Sequence, residues 1–212
     1  MSSAYRVGDI RFSGTELKDL AVAWVALGVA FTFFLNPSLL RAFQYGQLNP
    51  DALAEAFALS MITVGGAFLL HELAHKVMAI RFGQVAEFRA DYGMLGLAIV
   101  ASLAGFLFAA PGAVHHRGRI TVRENGIIAL AGPLTNVALA AVFLPVWLLF
   151  GGFLGSVGGL GVLINILLAG FNMIPFGPLD GKTVLRWNKL VFAAVFGPTA
   201  GLGLLLILGG LF

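Results

Sequence analysis

From Asn125 to Leu179 the sequence reads NGIIALAGPLTNVALAAVFLPVWLLFGGFLGSVGGLGVLINILLAGFNMIPFGPL, a run of 55 residues without an acidic, basic or histidine side chain. One membrane-spanning helix needs roughly 20 apolar residues, so this run is too long for a single span. The glycine-rich segment Gly151–Gly161 lies near its middle and is typical of a tight turn. The run therefore predicts two membrane-spanning helices, at residues 127–150 and 157–174.

The composition of the whole chain is also that of a membrane protein. Of its 212 residues, 59% are hydrophobic and 11% are charged, against about 45–50% and about 25% in soluble domains. Such a chain cannot cover a globule with polar surface, which excludes a soluble fold and a disordered chain. The absence of cysteine excludes disulfides and thiolate metal sites. The basic residues are scattered, which argues against nucleic acid as a partner.

Further apolar runs complete the expected topology. They predict three more spans, at residues 20–36, 54–81 and 190–212. A charged segment, residues 1–19, precedes them, and an apolar segment at residues 94–110 follows the second span. We therefore expect an all-α membrane protein, a polytopic helix bundle of five to six transmembrane segments with a membrane-dipping or hairpin segment after the second span. The whole chain, residues 1–212, is expected to form a single membrane-embedded domain.

The basic residues favour a dipping segment over a sixth span. Lys and Arg are in excess on the cytoplasmic side of membrane proteins. If residues 94–110 only dip into the membrane, twelve of the thirteen Lys and Arg residues fall on one side, whereas a full span divides them. We therefore expect five full spans, a location in the cell membrane and a cytoplasmic N-terminus. A sixth ordinary span remains the alternative.

The second span contains the sequence HELAH, from His71 to His75. On a helix the two histidines lie about 40° apart and one turn along, so both imidazoles can bind one zinc ion. Glu72 then lies beside the metal, where its carboxylate can accept a proton from bound water. A charged group at the bilayer centre costs about 2.5–3.5 kcal/mol, and a divalent metal would compensate for it. The alternative is a buried His/Glu hydrogen-bond cluster that supports helix packing.

Two histidines leave a zinc site incomplete, because catalytic zinc usually has three protein ligands. Asp180 is the candidate for the third, since it follows a span directly in NMIPFGPLDG, where two prolines and two glycines end the helix. Irregular backbone at membrane depth is tolerated where it lines a cavity. The alternative for Asp180 is a solvated carboxylate in a helix-end turn. The other candidates are expected to be interfacial or solvated residues: Asp91, His115 and His116.

The pairing of HELAH with NMIPFGPLDG resembles the site-2 protease family of intramembrane zinc metalloproteases, in a prokaryotic, minimal form without a PDZ or nucleotide-sensing domain. The family pattern H-E-x-x-H followed by N-x-x-P-x-x-x-L-D-G is matched here by the Asn, Pro and Asp-Gly of the second motif. A third family feature, G-x-x-x-N, is matched by AGPLTN. The residues that carry the second and third motifs are Asn172, Pro175, Asp180, Gly181, Gly132 and Asn136.

The resemblance implies a role for each matched residue. One Zn²⁺ per chain would be held by His71, His75 and Asp180, with Glu72 as the general base. Asn172 would be catalytic, stabilising the oxyanion or positioning substrate. The residues expected to line the site or contact substrate are Asn136, Gly132 and Pro175. For Asn136, an interhelical hydrogen bond beside a glycine contact is an equal alternative.

The expected function is hydrolysis of peptide bonds within or near transmembrane segments of membrane-protein substrates, as in regulated intramembrane proteolysis. The partners are then the lipid bilayer and a substrate with a transmembrane helix, and the active site opens to the cytoplasm. A strand edge at Val85–Arg89 or Arg119–Arg123 is expected to hold the extended peptide. Two alternatives use the same ligands: a non-proteolytic protein that binds membrane clients, and a metal transporter.

Overall fold

The computed structural model describes residues 4–8, 10–107 and 111–209. Within these ranges, five helical segments are long and apolar enough to cross a membrane, which confirms an all-α, multi-pass membrane protein. Each overlaps one of the five predicted spans. The segments are Gly14–Phe34, Pro50–Arg81, Val122–Leu149, Gly152–Asn172 and Lys189–Leu208.

The chain forms two compact units, and the first comprises residues 1–66 and 87–113. Its helices and strands, in chain order, are β1 (Ala4–Val7), β2 (Ile10–Ser13), α1 (Gly14–Phe34), α2 (Pro37–Gln44), α3 (Pro50–Ser60), a π-helical turn (Met61–Gly65) and α5 (Tyr92–Leu103). β1 and β2 form an antiparallel hairpin directly before α1. α1 packs against α3, the π turn and α5.

The first span begins six residues earlier than the predicted start at residue 20, because its acidic residues find partners. Ser13 caps the helix by accepting a hydrogen bond from the Glu16 amide at 3.0 Å. The Glu16 carboxylate, 1% exposed, accepts from the Phe88 amide at 3.0 Å. Asp19 accepts from the Ala90 amide at 3.4 Å and from the Tyr92 hydroxyl at 2.7 Å. Because they are paired in this way, both carboxylates can be buried within the first helix. A count of uncharged residues places the start of that helix after the last charged residue.

The predicted segment at residues 94–110 overlaps the 12-residue helix α5, which begins at Tyr92. Asp91 caps this helix by accepting from the Met94 amide at 3.0 Å. A helix of this length extends about 18 Å, less than the roughly 30 Å of a bilayer core. Residues 108–110 lie outside the described residues, so a dipping segment remains a prediction, favoured by the short helix.

The second unit comprises residues 67–86 and 114–212. It contains most of α4 (Gly66–Arg81), followed by α6 (Val122–Leu149), α7 (Gly152–Asn172), α8 (Asp180–Trp187) and α9 (Lys189–Leu208). α7 packs against α6 and α9, and α8 packs against α6 and α9. The end of the predicted final span, residues 210–212, lies outside the described residues.

The glycine-rich segment between the third and fourth long helices is mostly helix and not an extended turn. The turn is confined to Phe150 and Gly151, and α7 begins at Gly152. Gly158 instead brings α7 against the backbone of α6, since a Cβ there would lie 2.2 Å from the Trp147 amide nitrogen. Small residues are used in this way where membrane helices approach closely. The glycines therefore serve packing, and the span begins five residues before the predicted residue 157.

A second small sheet pairs β3 (Val85–Ala90) with β4 (Gly112–Arg117). In the first unit, Gly112 lies against the Ala90 backbone, and the Asp91 amide donates to the Pro111 carbonyl at 3.1 Å. In the second unit, the Gln84 side chain lies against Gly118. The strands therefore run in opposite directions. Alternate amides of each strand then point away from the partner strand.

Candidate metal centre

α4 presents the three HELAH side chains to the interior of the second unit. His71 is 3% exposed, and Glu72 and His75 are each 8% exposed. The two histidines are one helical turn apart, and their Nε2 atoms lie 3.0 Å from each other. The motif therefore forms a buried pair of convergent imidazoles, as its spacing predicts.

Hydrogen bonds at the opposite ring nitrogens fix the direction of both imidazoles. His75 Nδ1 lies 2.8 Å from the Ile128 carbonyl, which can only accept, so Nδ1 carries the proton. His71 Nδ1 lies 2.6 Å from Asn136 Oδ1, also an acceptor. When both rings are neutral, as metal binding requires, the Nε2 atoms of His71 and His75 carry the lone pairs, and these lone pairs face each other. Histidines that bind metals almost always donate their other N–H to such a group.

Asp180 completes the group from the first turn of α8. Its Oδ2 atom lies 3.3 Å from Nε2 of His71 and 3.3 Å from Nε2 of His75. Among the described residues, no donor hydrogen bonds to this buried oxygen. Three electron-pair donors therefore converge, an arrangement that is stabilised by a cation between them.

The donor set suits zinc. Two imidazoles and a carboxylate are typical ligands of a catalytic zinc ion, which binds them at about 2.0–2.2 Å. Ligand atoms at those distances on a tetrahedron lie roughly 3.3 Å apart, close to the 3.0–3.3 Å separations found here. The same three residues are the group of metal-binding side chains found in the described part of the chain.

Gly132 provides the space for this group. A Cβ atom at this position would lie 2.4 Å from His75 Nε2 and 2.5 Å from His71 Nε2. Any side chain on α6 here would overlap both ligand atoms. The glycine of AGPLTN is thus required by the close approach of helix backbone to the site.

The turn before α8 positions Asp180. Gly177 adopts a positive φ of 60°, a conformation that favours glycine. Gly181 lies against the Met173 backbone, since a Cβ there would be 2.0 Å from its carbonyl oxygen. The turn thus places the carboxylate of Asp180 against the two imidazoles.

Glu72 lies beside the ligands and contacts β4. Its Oε2 atom accepts a hydrogen bond from the Val114 amide at 3.2 Å. This amide points away from β3, so the outer edge of β4 faces the carboxylate. A base at this position can reach a water molecule on the metal and a peptide along the strand.

Comparisons with known proteins agree with this geometry. The chain is 42% identical over 195 residues to a Methanocaldococcus jannaschii protein named as a candidate zinc metalloprotease, MJ0611, and the match covers 90% of the chain and 94% of that protein. The chain belongs to this family of zinc metalloproteases. No protein-family model matches the chain, and no solved structure matches it significantly.

Two more distant metalloprotease relatives match a shorter part of the chain. The candidate zinc metalloprotease YwhC of Bacillus subtilis is 30% identical over 148 residues, covering 59% of the chain and 67% of YwhC. The candidate zinc metalloprotease Rip3 of Mycobacterium tuberculosis is 31% identical over 143 residues, covering 61% of the chain and 33% of Rip3. The protein is thus a zinc-dependent metalloprotease, and its group of His71, His75 and Asp180 could hold the ion.

The other expected site residues of the metalloprotease differ in their contacts. Asn136 is fully buried and contacts His71 directly. Asn172 donates one amide hydrogen to the Leu168 carbonyl at 3.0 Å, which leaves its second amide hydrogen for another acceptor. Pro175 lies in the exposed turn before α8. The roles of Asn172 and Pro175 therefore stay predictions.

The alternative ligands lie elsewhere. Asp91 caps α5, and His115 is exposed on β4. His116 occupies the more buried face of β4. Burial lowers the pKa of His116. His116 was expected to be a solvated loop residue, but it lies on a strand whose inner face turns towards the site.

Sequence reasoning missed Asn165, which is 0% exposed in α7 and hydrogen bonds to Asn136 at 2.9 Å. Its signal was present, because Asn165 is a lone polar residue in the apolar stretch GVLINILL. Polar residues inside membrane spans are functional candidates by default. The Val114 amide gives no such signal, since every residue other than proline carries a backbone N–H.

Proposed function

We propose that this metalloprotease is an intramembrane protease of the site-2 type, which hydrolyses peptide bonds within or near the transmembrane segments of membrane proteins. The observation that carries the proposal is the depth of the ligands. His71 lies ten residues from Arg81 at the end of its span, or about 15 Å along the helix. A peptide bond cut at that level belongs to a membrane-embedded substrate.

We assign the zinc ion to His71, His75 and Asp180, one ion per chain. When bound there, zinc lowers the pKa of coordinated water and polarises the scissile carbonyl. Glu72 accepts the proton of the attacking water and later delivers it to the departing amine. The position of Glu72 beside both imidazoles and the outer edge of β4 supports this assignment.

Four further residues serve the same reaction. Asn172 directs its second amide hydrogen to the developing oxyanion or to the substrate backbone. Asn136 orients His71, and Gly132 keeps the space around the ligand atoms open. Pro175 lies in the turn that carries Asp180 and helps to shape it.

The extended substrate pairs with β4. Of the two strand edges expected for this task, Arg119–Arg123 contains a loop and the start of α6 and no strand. Val85–Arg89 lies in β3. The outward amides of β3 at Phe88 and Ala90 already donate to the carboxylates of Glu16 and Asp19. In β4, the outward amide of Val114 also donates to a carboxylate, but this carboxylate is that of Glu72, so the edge of β4 adjoins the proposed base. A peptide added to this edge is brought to the catalytic carboxylate.

The whole chain functions as a single membrane-embedded domain. Its N-terminus and its active-site opening lie in the cytoplasm. The distribution of Lys and Arg supports this orientation. A cytoplasmic opening also supplies the water that hydrolysis consumes.

Glu72→Gln tests the proposed chemistry. Purified wild type and variant, loaded with zinc, are assayed on a single-pass substrate, with cleavage positions mapped by mass spectrometry. Loss of the base is expected to lower turnover by about 10²- to 10⁴-fold, with one zinc retained per chain. Glu55→Gln, at an exposed position on α3, is the matched control and is expected to retain full activity.

Two outcomes would contradict the proposal. Undiminished cleavage by Glu72→Gln would remove Glu72 from the reaction. Cleavage confined to the water-soluble tails of the substrate would show a metalloprotease that does not act within the membrane.

A further inference from the structure

Two buried asparagines form a continuous chain of hydrogen bonds behind His71. Asn136 and Asn165 are both 0% exposed. Asn136 Oδ1 contacts His71 Nδ1, and Asn136 Nδ2 donates to Asn165 Oδ1 at 2.9 Å. Asn165 Nδ2 donates in turn to the Gly161 carbonyl at 2.8 Å. The chain thus runs from the metal ligand on α4, through α6, to the backbone of α7.

The direction of this chain is set by backbone carbonyls, which can only accept. The Gly161 carbonyl requires the NH₂ group of Asn165, so Oδ1 of Asn165 must face Asn136. Asn136 must then present its own NH₂ group, which also donates to the Ala67 carbonyl at 3.3 Å. Only its oxygen remains for His71. Reversing either amide would place two oxygens against each other in a buried setting, at a cost comparable to an unsatisfied hydrogen bond.

We propose that Asn165 is a positioning residue that fixes the zinc-binding tautomer of His71 through the amide of Asn136. Because Asn136 offers an acceptor, His71 carries its proton on Nδ1 and turns the Nε2 lone pair towards His75 and Asp180. Without Asn165, the Asn136 amide keeps only its longer hydrogen bond, to the Ala67 carbonyl at 3.3 Å, and rotates more readily. His71 then loses the acceptor for Nδ1–H, and the tautomer with a proton on Nε2 cannot bind zinc.

We call this chain of hydrogen bonds, from Asn165 through Asn136 to His71, the relay. His75 shows why only one of the two histidines needs it. Its Nδ1 donates directly to the Ile128 carbonyl, whose polarity cannot change. His71 instead donates to an amide, which can present either oxygen or nitrogen. An amide needs further groups to fix its orientation. Here the Ala67 carbonyl at 3.3 Å and the Asn165 oxygen at 2.9 Å both accept from its NH₂ group, and the bond to Asn165 is the shorter one.

The first test is zinc affinity of Asn165→Leu, measured by chelator competition on the purified protein in detergent. Loss of hydrogen-bond partners behind a metal ligand typically lowers affinity by about 10- to 100-fold, and we expect at least tenfold here. Thr199→Val is the matched control, because Thr199 is also buried and bonds only within its own helix, at 2.7 Å to the Val195 carbonyl. Its zinc affinity is expected to be unchanged. Thermal unfolding of the zinc-free proteins monitors folding, and Asn165→Ser serves if the leucine variant does not fold.

The decisive test repeats Asn165→Leu in an Asn136→Asp background. Both oxygens of an aspartate accept, so His71 keeps its tautomer whatever lies beyond it, and the loss of zinc affinity is expected to shrink to less than about threefold. An equal loss in both backgrounds would show that Asn165 only supports packing and would overturn the proposal. ¹⁵N chemical shifts of His71 in the zinc-free protein give an independent readout: we expect Nδ1–H in the wild type and a tautomer mixture in Asn165→Leu.

The inference rests on the proposed zinc site, but different results would contradict the zinc site and the relay. A wild-type protein that binds no zinc would contradict the ligand assignment. A wild-type protein that binds zinc no better than Asn165→Leu would contradict the relay and leave the ligand assignment intact.

Discussion

The absence of a side chain at Gly132 is a strict requirement of the metal centre, and Gly132→Ala tests it. A Cβ atom at this position would lie 2.4 Å from His75 Nε2 and 2.5 Å from both Nε2 and Cε1 of His71. Carbon and nitrogen atoms in contact are roughly 3.5 Å apart. The added methyl group therefore overlaps both rings by about 1 Å, at the atoms that would bind zinc.

Neither ring can move away without losing a hydrogen bond. His75 is held by the Ile128 carbonyl and His71 by Asn136. Overfilling a packed site costs about 1–3 kcal/mol, which corresponds to roughly a 5- to 150-fold loss of affinity if the bound state carries the strain. Zinc sites also tolerate ligand displacements of only about 0.2 Å. We therefore expect Gly132→Ala to lower zinc affinity by about 100-fold or more.

The assay is competition with a zinc chelator on the purified protein in detergent, with metal content as a second readout. Gly197→Ala is the matched control, since Gly197 is also a helical glycine of the second unit and a Cβ there meets nothing within 4 Å. Its zinc affinity is expected to equal that of the wild type. If Gly132→Ala binds zinc within about threefold of the wild type, the ion does not lie between these two rings, and the ligand assignment is refuted.

Further predictions concern the third ligand, the strand edge, the first unit and pH. Asp180→Asn is expected to lose zinc, measured as metal content, yet to unfold at a higher temperature than the zinc-free wild type, because an amide can donate to a facing Nε2 atom. Val114→Pro removes the amide that Glu72 accepts from; proline is tolerated where the N–H points out of a sheet, so we expect slower cleavage of a transmembrane substrate with zinc retained. Glu16→Gln weakens a charged hydrogen bond of about 1.5–3 kcal/mol and is expected to lower the unfolding temperature, whereas unchanged unfolding would exclude a structural role. Zinc affinity is expected to fall as pH falls, because imidazole and carboxylate ligands must be deprotonated; titration of bound zinc against pH checks the sign.

The spans could be predicted from uncharged runs of sequence, but their ends could not. A count of uncharged residues starts the first span after the last charged residue, and so places Glu16 and Asp19 outside the first helix. The structure includes both in α1, because the amides of Phe88 and Ala90, more than seventy residues away in sequence, hydrogen bond to their carboxylates. Such pairing depends on tertiary structure, and no local pattern contains it. The helix at Gly152–Gly161 could not be predicted for the same reason. Its glycines pack against Trp147 and Phe143 of α6, and this contact also depends on tertiary structure.

The site could be predicted as far as its chemistry is local. The spacing of His71, Glu72 and His75 places them on one helix, and a helix-ending turn marks Asp180. The distances between these groups could not be predicted, because they depend on how α8 packs against α6. Asn165 could have been found by asking what a lone polar residue does in an apolar helix.

The rules that relate sequence to structure explain the candidate metal centre least well, and the reason is electrostatic. Carbonyl groups and a directed asparagine chain turn the lone pairs of His71 and His75 towards the same point, and the Asp180 carboxylate faces them at 3.3 Å. Each hydrogen bond is favourable locally, yet together they gather three electron-pair donors in a buried space, which is unfavourable unless a cation lies between them. The hydrogen bonds from Nδ1 of His71 and His75 leave Nε2 of each neutral ring for a cation, which is the physical argument that this group could hold a metal ion.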